Sequence, residues 1–212
     1  SLEVGDHVIL TPNAACGTCA YCIKGLQSVC ASSMVIATSM LPDGTSRLSR
    51  NGETVFHGLG VAAWADEIVV HANGAIRIDK DLPLDVACVI GCAVQTGVGA
   101  AINTADIDPG DSVLVLGAGG VGICIVQGAA IAGAAQIIVS DPSESRREQA
   151  MRFGATHVID PNEQDVVSVT MGLTGVGADV AFEAVGSAAL VEVGIAAVRS
   201  GGTTVMVGRC PS

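Results

Sequence analysis

Aromatic residues are almost missing: one Trp, one Tyr and three Phe make up 2% of the 212 residues. With so few rings, a stacking platform for nucleic-acid bases is excluded. Basic residues are scarce as well. Ten Lys and Arg face 21 Asp and Glu, for a net charge of −11. That balance lacks the basic patch that nucleic acid or an anionic membrane surface requires, and it reads as a solvated acidic surface. No basic start followed by a short apolar core marks a secretory leader. The chain opens without Met at Ser1-Leu2-Glu3 and stops at Cys210-Pro211-Ser212, directly after an apolar run, so both ends are read as truncations. The 23 residues from Gly117 to Val139 carry no charge. Their glycines, two glutamines and strand-like start argue against a membrane span.

What is present is apolar: half of the residues are hydrophobic, ample for a buried core. The chain is organised around Ser112 to Asp141. A short apolar run, Val113 to Leu116, enters Gly117-Ala118-Gly119-Gly120-Val121-Gly122; a helix-length segment follows, then a second apolar run ending on Asp141. Strand, G-x-G-x-x-G, helix, strand and acid form the order of a dinucleotide-binding unit. Gly117 allows the tight turn, Gly119 admits a pyrophosphate, and Gly122 lets helix and strand pack closely. The helix start offers N–H groups and a positive dipole end to phosphate. Asp141, 24 residues after Gly117, is placed to accept both hydroxyls of an adenosine ribose and to repel the extra phosphate of NADP, so NAD is the expected cofactor.

From Ser112 onward strand and helix patterns alternate. Strands are expected at Val113–Leu116, Ile137–Ser140, His157–Ile159, Ala178–Phe182 and Thr203–Val207. Helices are expected at Val121–Ile131, Ser143–Phe153, Val166–Leu173 and Ala188–Val198. The fold class is α/β, a doubly wound parallel Rossmann sheet. Before it, Asp6–Thr11, Glu67–Val70 and Ala75–Ile78 read as strands of an antiparallel lobe, Met34–Thr54 as a turn-rich surface lobe, and Leu84–Ile90 and Thr96–Ala105 as helices. The domain boundary falls near Cys92 to Thr96, giving residues 1–93 and 94–212.

Four of the eight cysteines lie in the loop 12–33, as Cys16-x2-Cys19-x2-Cys22-x7-Cys30. Four thiolates so close on one loop can wrap a tetrahedral ion, and zinc is the usual occupant. An iron–sulfur cluster uses the same ligands, and two disulfides are the third reading. A closed zinc site leaves no position for substrate, so its task would be to fold a loop with little core. Cys88 and Cys124 read as small core residues. Cys92 stands apart, in Gly91-Cys92-Ala93-Val94-Gln95-Thr96-Gly97 between the two lobes.

Together these features resemble the zinc-dependent medium-chain alcohol dehydrogenases: the four-Cys lobe, Gly91 to Gly97, the Gly117 to Gly122 turn, Asp141, the segment Gly177 to Glu183, and Val205-Met206-Val207-Gly208. The resemblance covers essentially the whole chain and implies a partial antiparallel β (GroES-like) catalytic domain with a structural zinc lobe, followed by a partial NAD-binding domain. It also implies two zinc ions. Cys16, Cys19, Cys22 and Cys30 hold the structural one. Cys92 is one of three protein ligands to the catalytic one, the other two and the proton relay lying upstream of the lobe in the family. Thr96 lies against the nicotinamide ring, Val121 and Val207 on its other side, Arg146 near the adenosine ribose, and His57, Gly58 and Leu59 along the substrate cleft. Gly58 stands where many members have an aromatic, which widens the cleft. Val61-Ala62-Ala63-Trp64 departs from the S-T-F pattern of the glutathione-dependent formaldehyde-oxidising class.

The expected activity is reversible transfer of hydride from a primary or secondary alcohol to NAD, in the cytoplasm, by a homo-oligomer with small-molecule partners and neither nucleic acid nor membrane. These 212 residues alone are expected to be close to inactive while holding the structural zinc. Two rivals stand beside this reading: a dehydrogenase of S-(hydroxymethyl)thiol adducts, and a non-catalytic NAD- or zinc-binding module.

Overall fold

The structure is a computed structural model that describes residues 2–33, 38–41 and 43–209. The chain divides into two compact units, 1–92 and 93–212.

In the first unit, strand β1 (Val8–Leu10) pairs antiparallel with β4 (Ala75–Arg77), and β2 (Leu48–Arg50) with β3 (Glu53–Val55). The β2–β3 hairpin turns at Asn51 and Gly52, both at positive φ (52° and 83°), the backbone that an Asn-Gly pair adopts most readily. This hairpin lies, all but Val55, within the stretch read from sequence as a surface lobe. Glu67–Val70, expected as a strand, forms none: its residues find no ladder partner among the described residues. Helix α1 (Ala20–Ile23) closes the cysteine loop, and α2 (Leu84–Ala87) begins after Pro83.

The two helices expected between residue 84 and residue 105 are one interrupted helical run. A π-helical turn at Ile90–Val94 carries Cys92, and α3 (Gln95–Gly99) leads to a second π turn at Ala100–Thr104. By length and composition the 21-residue run Leu84–Thr104 could cross a membrane. Its glycines have packing reasons of their own. A Cβ at Gly91 would come within 2.1 Å of the Leu10 carbonyl oxygen, so the helix backbone lies directly on β1. A Cβ at Gly97 would come within 2.5 Å of Cys124 Cβ in α4 (Gly120–Ala132).

The second unit is a five-stranded, wholly parallel sheet in the order β7-β6-β5-β8-β9, with β5 Ser112–Leu116, β6 Gln136–Ser140, β7 His157–Ile159, β8 Ala178–Glu183 and β9 Val198–Met206. Helices α4, α5 (Glu144–Arg152), α6 (Val166–Thr174) and α7 (Ala188–Ala197) alternate with the strands, as the doubly wound reading requires. Each β5 residue after Ser112 is fully buried, because both faces are covered. Val113 and Val115 pack with Ile125, Val126, Val139 and Phe182. Leu114 and Leu116, on the opposite face by the period of two, pack with Ile138, Ile159 and Ala181. Helix boundaries follow local chemistry: Asp165 caps α6 by accepting the Ser168 N–H at 2.8 Å, and α4 and α6 end on Gly133 and Gly175 at positive φ.

Strand order reverses between β5 and β8, so a crevice opens at their carboxyl ends. The opposite end is tied by Asp179, which accepts the Ser112 N–H and hydroxyl and pairs with Arg199. Arg199 lies within a register shift in which Ala178 pairs with Val198 and Val180 with Thr203, with Gly201 at φ 76° also inside the extra length. That irregularity starts β9 five residues before the apolar run at Thr203.

Burial alone would raise the Asp179 carboxyl, but the bonds from Ser112 and the Arg199 guanidinium hold it down at about 2, below its ordinary value of 3.8. A folded-state value below the unfolded one contributes stability above about pH 4 that is lost as pH falls toward 2. Asp179→Asn should therefore lower the unfolding free energy by about 1–2 kcal/mol at pH 7. Urea unfolding at pH 7 and pH 2 should show most of that difference gone at the lower pH, with about 0.4 kcal/mol left at the folded-state midpoint.

Candidate cofactor and zinc sites

At the carboxyl end of β5 the chain leaves Leu116 through Gly117 at φ 96°, a backbone that L side chains rarely adopt. The Gly117 N–H continues the ladder by donating to Ser140 O at 2.8 Å. An added Cβ at Gly122 would lie 1.9 Å from the Gly117 carbonyl oxygen, so no other residue lets α4 start this close to the strand. Gly119 differs, because a Cβ there would meet nothing within 4 Å. Its missing side chain leaves open space at the start of α4, where Gly119 is the cap residue and contributes no side-chain bond. Free helical N–H groups facing open space beside a glycine are the chemistry of a pyrophosphate cradle.

Asp141 follows β6 directly and is 2% exposed. One carboxylate oxygen accepts the Ala118 N–H at 2.8 Å and the other the Ser143 N–H at 2.8 Å. The acid thus clamps the glycine turn to the end of β6, while each oxygen keeps a lone pair for a ligand. Arg146, largely exposed, lies 3.7 Å from the same carboxylate. Arg147, which sequence reasoning passed over, donates to the Asp141 carbonyl at 2.7 Å and pairs with Asp160 at 2.9 Å. Across the crevice Val207 donates its N–H to Glu183 O at 2.8 Å. Gly117, Gly119, Gly120, Val121, Gly122, Asp141, Arg146 and Val207 therefore all stand at the carboxyl-end rim of one sheet.

In the first unit the sulfur atoms of Cys16, Cys19, Cys22 and Cys30 lie within 4.8 Å of one another, the one such gathering of three or more ligating side chains among the described residues. Tetrahedral Zn–S bonds of about 2.3 Å require sulfurs about 3.8 Å apart; Cys19 and Cys30 are at 3.9 Å. Main-chain N–H groups already point at the sulfurs, from Cys19 to Cys16 at 3.3 Å and from Cys16 to Cys30 at 3.3 Å, as they do around metal-bound thiolates. The Thr18 and Cys19 N–H groups pull the Cys16 thiol down to about 5, whereas burial pushes Cys22 up to about 12. The loop is braced internally by Asn13, which donates to Ser28 O at 3.0 Å, and moored from outside by Asn73, which donates to Ala15 O at 2.9 Å. The donor set fits a structural zinc.

Cys92 is exposed and lines a cavity of about 400 Å³ with Cys88, Gly91 and Leu59. Cys88, expected in the core, is exposed too, its Sγ donating to Asp85 O at 3.1 Å. Cys124 is buried in α4. His57 and Gly58 line a separate cavity of about 690 Å³ with Trp64 and Phe56. The structure thus brings Leu59 to Cys92 and leaves His57 elsewhere, where its Nε2 accepts the Arg47 N–H at 3.4 Å. No group of ligating side chains includes Cys92 among the described residues, so Cys92 alone does not make a metal centre. Thr96 is exposed in α3.

Residues 120–212 match the family model described as zinc-binding dehydrogenase. An S-(hydroxymethyl)glutathione dehydrogenase of Synechocystis is 37% identical over 214 residues, which take in 98% of this chain and 58% of that protein. By these matches the chain is similar to zinc-binding dehydrogenases of the alcohol dehydrogenase type. Solved structures agree in fold. An alcohol dehydrogenase zinc-binding domain protein from Burkholderia ambifaria superposes with a TM-score of 0.91 at 38% identity, covering 99% of this chain and 57% of that one. Benzyl alcohol dehydrogenase from Acinetobacter calcoaceticus gives 0.87 at 32% identity, covering 100% and 57%. The chain spans under three fifths of the length of these dehydrogenases. Its α/β sheet and antiparallel lobe are those of the medium-chain fold.

For the zinc lobe the expected outcome is about one zinc per chain by metal analysis of purified protein. Cys30→Ser should lose that zinc and with it the protection of residues 16–30 from proteolysis.

Proposed function

We propose that the protein is an NAD-dependent alcohol dehydrogenase, exchanging hydride between a primary or secondary alcohol and the nicotinamide. The observation that carries this reading is the glycine turn clamped by Asp141 at the carboxyl end of β5, beside the point where strand order reverses. In this reading residues 1–93 are part of the catalytic domain and residues 94–212 part of the NAD-binding domain.

Residues of this chain would bind and orient the cofactor. The start of α4 holds the pyrophosphate, Gly119 admits it, and Asp141 accepts the ribose hydroxyls. Arg146 offsets negative charge at that end, and Val121 and Val207 flank the nicotinamide. NAD, when bound, supplies the hydride acceptor. Thr96 lies against the nicotinamide in this assignment. Cys92 would contribute one ligand of a catalytic zinc, which would supply Lewis-acid chemistry to the alcohol oxygen. Alignment of cofactor and alcohol is the fold's part in catalysis.

A second reading, oxidation of S-(hydroxymethyl)thiol adducts, is favoured by the names of the relatives. Against it, Val61 to Trp64 lacks the pattern that the formaldehyde-oxidising class resembles, and the carrier's carboxylates need basic partners. A homo-oligomer is supported by β9, an edge strand whose one partner among the described residues is β8. A cytoplasmic place suits the seven free thiols among the described residues.

Fluorescence titration with NADH and NADPH tests the cofactor assignment in the full chain. Wild-type protein should favour NADH, and Asp141→Gly should raise the affinity for NADPH relative to NADH by about tenfold. An unchanged ratio would remove the role given to Asp141. An alcohol panel with NAD, run on the complete reading frame beside S-(hydroxymethyl)glutathione, separates the two substrate readings.

A further inference from the structure

Glu183 ends β8 with 0% exposure, a charged side chain sealed between β5 and β9, where Leu116 and Met206 are its ladder partners. Burying a carboxylate is costly unless its oxygens are satisfied. Oε1 is satisfied three times over, accepting the N–H groups of Val185 at 2.8 Å, Gly186 at 2.7 Å and Ser187 at 3.2 Å. Those amides form the loop that starts α7, whose cap residue Ser187 supplies no side-chain bond. The carboxylate therefore does the capping from four residues upstream and meets the positive end of the helix. Oε2 has no hydrogen-bond partner and no cation is paired with it among the described residues.

The same residue reaches the other loops of the rim. Its main-chain oxygen accepts the N–H groups of Val207 at 2.8 Å and Gly208 at 2.9 Å. A Cβ at Gly208 would come within 2.6 Å of Oε2, and one at Gly186 within 2.4 Å of Arg209 O, so the two loops interlock through glycines with no slack. Val185 then presses on the turn: its Cγ2 would be 2.4 Å from a Cβ at Gly117. Glu183 thus fixes the 184–187 loop, the 207–209 segment and, through Val185, the first glycine of the fingerprint.

In a doubly wound sheet the dinucleotide straddles the strand-order reversal, one mononucleotide on each side. With Asp141 on the β6 side taking the adenosine half, the redox half lies over the ends of β8 and β9, above Glu183. Oxidised nicotinamide is cationic and reduced nicotinamide neutral. We propose that Glu183 is a positioning residue of the cofactor cleft, its buried carboxylate fixing the 184–187 loop beneath the redox half and favouring the oxidised cofactor over the reduced one. The proposal rests on the assignment of NAD to the glycine turn.

The test is the pair of dissociation constants for NAD and NADH, measured by calorimetry on the full chain and on Glu183→Gln and Glu183→Asp. Glu183→Gln keeps an oxygen for the three amides and removes the charge. It should weaken NAD by roughly three- to tenfold while NADH stays within about twofold. Glu183→Asp keeps the charge but withdraws it from the loop, and should weaken both forms by a similar factor. Equal effects of Glu183→Gln on both forms would overturn the proposal. So would wild-type affinities in Glu183→Asp, the deciding variant should Glu183→Gln fail to fold. Wild-type protein that binds neither form would overturn the NAD assignment itself, and the proposal with it.

Discussion

The parallel-sheet half depends on one close approach, that of Gly122 to the carbonyl of Gly117. With no Cβ at either position, α4 can start within a turn of the end of β5 and lie flat on the sheet. Everything at the rim follows from that proximity. The N-terminus of α4 faces the crevice, Ala118 comes within hydrogen-bond reach of Asp141, and Gly117 leaves room for Val185. The turn is therefore held from both sides, by an acid at the end of β6 and by the Glu183 loop at the end of β8. A rim assembled in this way is set before any ligand arrives, which reduces the ordering that binding must impose.

The first unit is held differently. Its strands are three residues long, and large apolar side chains such as Trp64, Phe56 and Val69 are exposed. A lobe with so little core of its own is the kind that a metal folds. Four sulfurs already gathered, with N–H groups aimed at them, provide that centre. The two halves thus answer the same problem by different means, one by burying both faces of a sheet and the other by ligation.

How much could be read from the sequence varied with how local the cause was. Parallel strands buried on both faces read as unbroken apolar runs, so β5 and β6 were visible at once. The cysteine spacing was equally local. The β2–β3 hairpin was passed over because its strands are exposed and lack an apolar face, although Asn51-Gly52 is a strong turn signal in its own right. Ile68-Val69-Val70 misled in the opposite direction, since an apolar run is a strand only where a partner meets it. β9 begins early because Arg199 reaches Asp179, a contact between residues 20 apart that no periodicity encodes. At the site, spacing located Asp141 but not its bonds to Ala118 and Ser143. Glu183 was present in a recognised segment with no role, because its three amide partners follow from the loop's shape.

The central claim is that the carboxyl-end rim of this sheet is a dinucleotide site. Hydrogen–deuterium exchange with and without NADH tests it most directly. The account predicts slowed exchange at residues 117–122, 141–147, 184–187 and 207–209, with the opposite end of the sheet around Asp179 unchanged. Protection absent from 117–122, or centred on the Asp179 end, would contradict it.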